Sequence, residues 1–308
     1  MPSIVSVGEV MLELSAIQAN GSAHLGVGGD TGNTAVYLSR LLGDPGSVSY
    51  LTRLGQGPFA EQISDFLSAE DVTVSPFASA KAGTPGLYAI STDDEGERSF
   101  TYWRTSAAVR ELFEGDLGKE EVAFAQQHDA LYVSGITLAV LSDDGRVALF
   151  ELAEWFQKHG RTVMYDVNHR PHLWSSHSHE VDFVAANLEM IKRSSIVKIG
   201  RDEGEALFEL SMSEDVATFV CEKGAAGVVV TDGPDGLFVR FDSKLEAVDF
   251  PAISKVVDST AAGDSFSAGF LNAYLAGLNP AECARAGQDL AGRVIQFPGA
   301  IIPKSEMP

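Results

Sequence analysis

The sequence predicts an α/β domain, a largely parallel β-sheet with helices on both faces. Three observations predict it. From residue 129 onward, short apolar runs alternate with helix-length amphipathic segments, the order that builds a parallel sheet. The runs are rich in Val, Ile and Leu over nearly every position, as strands covered on both faces must be. Acidic or glycine-containing turns follow several of them, at the strand ends where ligands bind in such sheets.

Taken in order, Ile4 to Val7 is a β-branched run ending at Gly8-Glu9 and starts the sheet. Gly26-Val-Gly-Gly-Asp-Thr-Gly-Asn33 reads as a glycine-rich turn that lets backbone approach a ligand, leading into a helix over Thr34 to Leu42. Val48 to Thr52 reads as a strand and Pro58 to Leu67 as a helix. Leu87 to Thr92 and Glu97 to Arg104 alternate with period two around the polar turn Asp93 to Gly96, the pattern of a β-hairpin. Tyr88 and Ile90 then share a face with Phe100, Tyr102 and Arg104. The alternation that follows gives strands at Ala130 to Ser134, Thr162 to Val167, Ser195 to Ile199 and Gly227 to Thr231. Helices fall at Asp143 to Lys158, Glu180 to Arg193 and Glu203 to Leu210, and Leu237 to Phe241 pairs as a further strand.

The last block, Asp258-Ser-Thr-Ala-Ala-Gly-Asp264, is a small-residue loop before an apolar helix-spaced series from Phe266 to Leu278. Such a loop turns free N–H groups and the positive end of a helix dipole toward an anion. Asp264 either caps that helix or acts as a general base on a hydroxyl beside the anion. The strand-end rule gathers Gly8-Glu9, Asp166 to Arg170, Thr231 to Gly233 and this loop into one cleft.

Composition narrows the classes of function. With 308 residues and 45% hydrophobic content, the chain is long enough for one large domain or two modest ones. A net charge of −21 repels nucleic acid and anionic membrane. No apolar run is long enough to span a bilayer and the start has no signal-peptide pattern, which places the chain in the cytoplasm. Cys221 and Cys283 read as reduced core thiols. His169 with His172, and His177 with His179, lack the partners that a metal site needs. Neither Gly-x-x-x-x-Gly-Lys-Ser/Thr nor a strand-linked Gly-x-Gly-x-x-Gly occurs, which disfavours P-loop and dinucleotide-binding enzymes. Gly263-Asp264-Ser265 also suggests a serine hydrolase with Ser265 as nucleophile, but no histidine base follows it.

Gly28-Gly-Asp30 with Asn33, and Asp258 to Asp264, together resemble the ribokinase-like (phosphofructokinase-B type) sugar kinases across the whole chain. Five further blocks are most similar to the members that phosphorylate 2-keto-3-deoxygluconate: Pro85 to Tyr88, Gly96 to Arg104, Tyr132 to Ile136, Asp166 to Trp174, and Gly299 to Pro303. The resemblance implies one three-layer α/β domain over 1–308, with a β-sheet lid from segments of about 10–28 and 83–105. It implies ATP and Mg²⁺, with Asp264 as base and the amides of Ala261, Ala262 and Gly263 as anion hole. It further implies that Gly29, Asp30, Asn33, Tyr88, Tyr102, Arg104, Arg170 and Asp264 meet the substrate, and that Asn168, Thr231, Gly233, Gly236, Ala262 and Gly263 approach the nucleotide. The reaction implied is transfer to the terminal hydroxyl of a sugar acid, 2-keto-3-deoxygluconate to its 6-phosphate. A neutral-sugar kinase such as a fructokinase, or a non-catalytic sugar-acid sensor, is the alternative.

One block departs from the family. Gly200-Arg-Asp-Glu203 stands where relatives carry Asn-x-x-Glu, so Glu203 is the implied, water-mediated Mg²⁺ residue, with Asp202 or Glu205 as substitutes. Two arginines from separate blocks, Arg104 and Arg170, would be costly to aim into one pocket without an anion between them, which favours a carboxylate substrate. Lids of this kind pair between subunits in relatives, which implies a homo-oligomer and favours a dimer.

Overall fold

A computed structural model describes residues 2–18, 20–44, 47–92, 98–174, 183–250, 253 and 255–308. The first strand, β1 (Ile4–Val7), pairs in parallel with both β4 (Val48–Leu51) and β8 (Ala130–Ser134). From β8 the parallel order continues through β9 (Thr162–Asp166), β10 (Ile196–Gly200) and β11 (Gly227–Thr231). Antiparallel β12 (Leu237–Phe241) and β13 (Lys244–Val248) close that edge, and the short β5 (Thr73–Val74) closes the other. The resulting nine-stranded order is β13-β12-β11-β10-β9-β8-β1-β4-β5. Strand order therefore reverses at β1, and the crevice beyond the carboxyl ends of β1 and β8 is the place such sheets offer a ligand.

Period-two alternation sorts the strand residues onto two cores. Ile4, Tyr132, Met164, Ile196 and Val229 join one core with residues of α1 (Asp30–Leu42), α2 (Pro58–Ala69), α10 (Ala262–Leu275) and α11 (Pro280–Val294). Val5, Leu131, Val163, Val197 and Val228 join the other core. There they meet residues of α3 (Gly115–Ala125), α4 (Gly135–Val140), α5 (Asp143–Lys158), α7 (Phe183–Ile191), α8 (Arg201–Phe208) and α9 (Ser213–Glu222), beside the short α6 (Pro171–Trp174). The three predicted layers follow. Local chemistry sets the helix starts: Ser142 accepts from the Gly145 N–H at 3.1 Å ahead of the acidic first turn of α5. Asn279 and Glu282 cap α11 reciprocally at 3.0 Å each, with Pro280 at its first position.

A second sheet has the order β3-β2-β6-β7, from β2 (Met11–Ser15), β3 (His24–Gly28), β6 (Leu87–Thr92) and β7 (Arg98–Trp103). Tyr88 faces Tyr102 and Ile90 faces Phe100 across β6 and β7, so the expected shared aromatic face forms. Several sequence boundaries differ, most of them by a residue or two and two of them beside the strand ends. The stretch over 26–33 is not one turn: it is the end of β3 followed by the first turn of α1, with Gly29 between them. There φ is 153°, and a side-chain carbon would lie 2.5 Å from the Glu9 carbonyl oxygen, so only glycine lets α1 begin so close to β1. The helix expected from Glu203 starts at Arg201 and ends at Phe208, where Glu209 turns left-handed (φ 59°). The hairpin turn Asp93 to Gly96, Glu97, Glu180, His177 and His179 lie outside the described residues.

Candidate active site

A cavity of about 460 Å³ lies between the second sheet and the strand ends of the first. Glu9 contributes from beyond β1, Asp30 and Asn33 from the first turn of α1, and Asp166 and Asn168 from the end of β9. Tyr88, Tyr102 and Arg104 cover it from the lid, Arg170 and Lys198 line it, and Ser259 to Asp264 form its floor. Each site is placed by an element end. Beyond the last hydrogen-bonded residue a strand or helix leaves polar groups unpaired, so that is where polar side chains collect.

Asp264 sits on the first turn of α10 and is only 9% exposed. It does not cap the helix. The cap position is Ala261 in the left-handed region (φ 60°), and Oδ2 of Asp264 accepts from the Asn33 side-chain amide at 2.8 Å. Burial, and then the charges of Asp30 and Asp166, push the Asp264 carboxyl up to about 7, against the Asn33 bond and the Lys198 charge. A carboxylate so poised can take a proton near neutral pH. Ser265 is no nucleophile, being fully buried with its hydroxyl directed at the carbonyls of Ala261 and Ala262 at 2.7 and 3.1 Å.

The three floor amides are not equivalent. The Ala262 N–H donates to the Ser259 carbonyl at 3.2 Å, whereas those of Ala261 and Gly263 donate to no backbone carbonyl among the described residues. Of the three amides expected to meet an anion, those of Ala261 and Gly263 are therefore the two without a backbone acceptor among the described residues. A carbon placed on Gly263 would be 3.1 Å from Nζ of Lys198, so an anion on this floor meets a buried ammonium as well. Lys198 donates to Oδ2 of Asp166 at 2.8 Å. Burial works to lower the lysine pKa, but the Asp166 charge and bond outweigh it and hold it above its ordinary value. Asp166 also receives the Ser267 hydroxyl at 3.2 Å, while its Oδ1 is buried without a partner among the described residues.

Asp30 accepts from the Ser134 hydroxyl and from the Asn168 amide, tying α1 to the ends of β8 and β9. Burial raises its carboxyl above the usual range. Asn168 itself is left-handed (φ 35°), a strained position for any residue but glycine and commonest for Asn. The lid aromatics form one layer: Tyr88 and Tyr102 have ring centroids 5.9 Å apart, and Tyr102 stacks on His172 at 5.5 Å. His169 stacks on Phe183 at 5.2 Å.

The two arginines depart from the expectation that an outside anion must balance both. Arg104 donates through Nη2 to Oε2 of Glu9, and both residues are buried. Arg170 is exposed and donates to the His169 carbonyl at 3.0 Å. The chain supplies its own anion for one guanidinium, and exposure lowers the cost of the other. Thr231, Gly233 and Gly236, though at the end of β11, do not line this cavity; Asp232 there binds Nε of Arg201 at 2.8 Å. Glu203 also stays outside it. Its two oxygens accept from the backbone N–H groups of His169 and Gly200 at 2.6 and 2.7 Å.

Sequence reasoning did not select Lys198 or the side chain of Glu9. The signal was present: Lys198 is the one charge inside the apolar run Ile196 to Ile199, near the ligand end of a strand. A lone charge there has to be paired, and it is paired with the equally isolated Asp166.

Residues 1–307 match the description pfkB family carbohydrate kinase. Proteins named 2-dehydro-3-deoxygluconokinase from Escherichia coli and Haemophilus influenzae are 38% and 34% identical, over 99% of this chain and 98% and 96% of theirs. A fructokinase from Vibrio alginolyticus is 27% identical over 79% of this chain and 75% of its own. The crystal structure of a PfkB protein from Polaromonas sp. JS666 superposes with a TM-score of 0.80 at 23% identity, covering 96% of both chains. The architecture is ribokinase-like.

Proposed function

The chain belongs to the pfkB family of carbohydrate kinases, and on that premise we propose that it transfers the γ-phosphoryl group of ATP to the 6-hydroxyl of 2-keto-3-deoxygluconate (2-dehydro-3-deoxygluconate). The observation that carries the chemistry is Asp264. It stands buried at a helix N-terminus with its carboxyl raised to about 7, beside amides that lack backbone acceptors among the described residues. Asp264 takes the hydroxyl proton as the oxygen attacks phosphorus, while the Ala261 and Gly263 amides and the helix dipole stabilise the charge on the transferring group. Little covalent work is left to the protein beyond this positioning.

The acid is favoured over a neutral sugar by the relatives' names and coverage, and by the guanidinium groups of Arg104 and Arg170 at the cavity. Tyr88, Tyr102, Gly29, Asp30 and Asn33 complete the sugar side in this reading. ATP lies toward the ends of β10 and β11, approached by Asn168, Thr231, Gly233 and Gly236. The residues fit a hydrated Mg²⁺. The buried, unpartnered Oδ1 of Asp166 is an acceptor in want of a donor such as a metal-bound water, and Glu203 adds an outer carboxylate. Bound there, the ion neutralises phosphate charge. The test is ADP release from ATP and Mg²⁺ with 2-keto-3-deoxygluconate or fructose. A higher kcat/KM for the acid is expected; a preference for fructose overturns the substrate, and no release with any keto sugar or sugar acid overturns the kinase.

A further inference from the structure

Glu9 and Arg104 come from different parts of the fold, the first from the end of β1 and the second from the residue after the lid strand β7. Both are buried, at 2% and 8% exposure, and both line the cavity. Their contact is incomplete. Nη2 of Arg104 reaches Oε2 of Glu9, but Nε of Arg104 and Oε1 of Glu9 are buried with no partner in the described chain. The contrast within the same molecule is Arg53, whose Nε and Nη2 engage both oxygens of Glu121 at 2.6 and 3.0 Å in a pair remote from the cavity. Arg53 also leaves a buried donor, Nη1, without a hydrogen-bond partner among the described residues, so the difference lies at the carboxylate: both oxygens of Glu121 are engaged, as expected of a pair that only joins two segments, whereas Oε1 of Glu9 is left open.

The surroundings preserve this arrangement. A side-chain carbon on Gly86 would stand 2.6 Å from Oε1 of Glu9 and 3.2 Å from Cβ of Arg104, so a residue without a side chain clears the space. The guanidinium also lies 5.7 Å from the ring centre of Tyr102. Burial raises the Glu9 carboxyl, opposed by Arg104; Asp30 adds to the rise and Arg110 opposes it.

We propose that Glu9 is a positioning residue: it holds one edge of Arg104 at the junction of lid and sheet so that the guanidinium's other donors meet the carboxylate of the substrate. This rests on the sugar-acid reading above. Glu9 touches neither the transferring phosphoryl group nor the base, so its effect falls on binding of the acid and not on turnover.

The experiment compares KM and kcat for 2-keto-3-deoxygluconate and fructose in wild type, Glu9→Ala and Glu9→Gln. Glu9→Ala should raise KM for the acid about tenfold, the worth of one misplaced charge-assisted hydrogen bond, with kcat for the acid and both constants for fructose nearly unchanged. Glu9→Gln keeps an acceptor of the same length and should restore the acid KM. If Glu9→Ala does not fold by circular dichroism, Glu9→Asp takes its place, since its shorter side chain withdraws from Arg104 and should raise the acid KM alone. Equal losses on both substrates, or a Gln variant as impaired as Ala, overturn the proposal. A wild type that prefers fructose overturns the sugar-acid reading and this inference with it; a wild type that prefers the acid beside an indiscriminate Glu9→Ala overturns this inference alone.

Discussion

The side-chain amide of Asn33 donates to Oδ2 of Asp264 at 2.8 Å, joining residues 231 positions apart at the first turns of α1 and α10. The bond orients the carboxylate and leaves Oδ1 toward no chain donor among the described residues. Asp264→Asn removes the proposed base without changing shape and should lower kcat roughly 10²-fold or more, with an unchanged circular dichroism spectrum. Ser265→Ala, which deletes a hydroxyl bonded only to its own helix turn, should leave turnover within a fewfold. The opposite ranking would transfer the chemistry to Ser265.

The pH profile tests the same carboxyl. With Asp264 raised to about 7, kcat/KM should climb on the acid side and level off above an apparent pKa near 7. Asn33 stabilises the ionised form, so Asn33→Leu should move that midpoint upward. Stability moves in the other direction. A folded pKa above the unfolded one stabilises fully at pH below about 4, and that contribution is lost as pH rises toward 7. Thermal melts of Asp264→Asn and wild type should therefore diverge in favour of the variant as pH rises from about 4 to 7, then run parallel. A constant offset across that range would mean the carboxyl is not perturbed.

Much of this site was legible because strand ends and a helix start are written locally in the sequence. Asp264, Asn33 and the lid face of Tyr88, Tyr102 and Arg104 each follow from a turn, a period or a motif. The pairings Glu9 with Arg104 and Lys198 with Asp166 were not legible, since each joins segments far apart in the chain and only the register of the sheet decides that they meet. The same holds for α1, whose start at Asp30 depends on Gly29 passing under the Glu9 carbonyl. Strand β5, with two residues, carries too few to show a period, and β13 (Lys244–Val248) is a largely exposed edge strand without the apolar run that marks the others.

Arg53 and Glu121 give a prediction away from the cavity. Both are almost fully buried, and Glu121 also accepts the Phe113 N–H at 2.7 Å. Arg53→Met strands that carboxylate, which should cost about 3–5 kcal/mol, seen as a lower urea midpoint with kcat at 25 °C preserved. A loss under about 1 kcal/mol would show that the pair's attraction is cancelled by its desolvation.

The lid edge bears on assembly. Strand β7 ends its sheet, and Phe100 and Trp103 on it are 45% and 56% exposed. An open strand edge with aromatic side chains invites a second copy. Light scattering at micromolar concentration should return a dimer mass, and Trp103→Lys should shift it toward monomer. A wild-type monomer would end that reading.

If Arg104 and Arg170 share the substrate's carboxylate as proposed, they should do so unequally, because one is buried against Glu9 and the other stands in solvent. Arg170→Leu removes an exposed group that, among the described residues, hydrogen-bonds to a neighbouring carbonyl, so its melting temperature should stay close to that of wild type. Its kcat/KM for 2-keto-3-deoxygluconate should fall by roughly tenfold, with fructose little affected. Arg104→Leu leaves Glu9 buried without its cation, which should cost stability on the order of 3 kcal/mol besides lowering kcat/KM for the acid. Adding Glu9→Gln to Arg104→Leu removes the stranded charge and should recover most of the stability but none of the acid preference. Recovery of both would mean that Arg104 serves the lid and that the carboxylate is read by Arg170 alone.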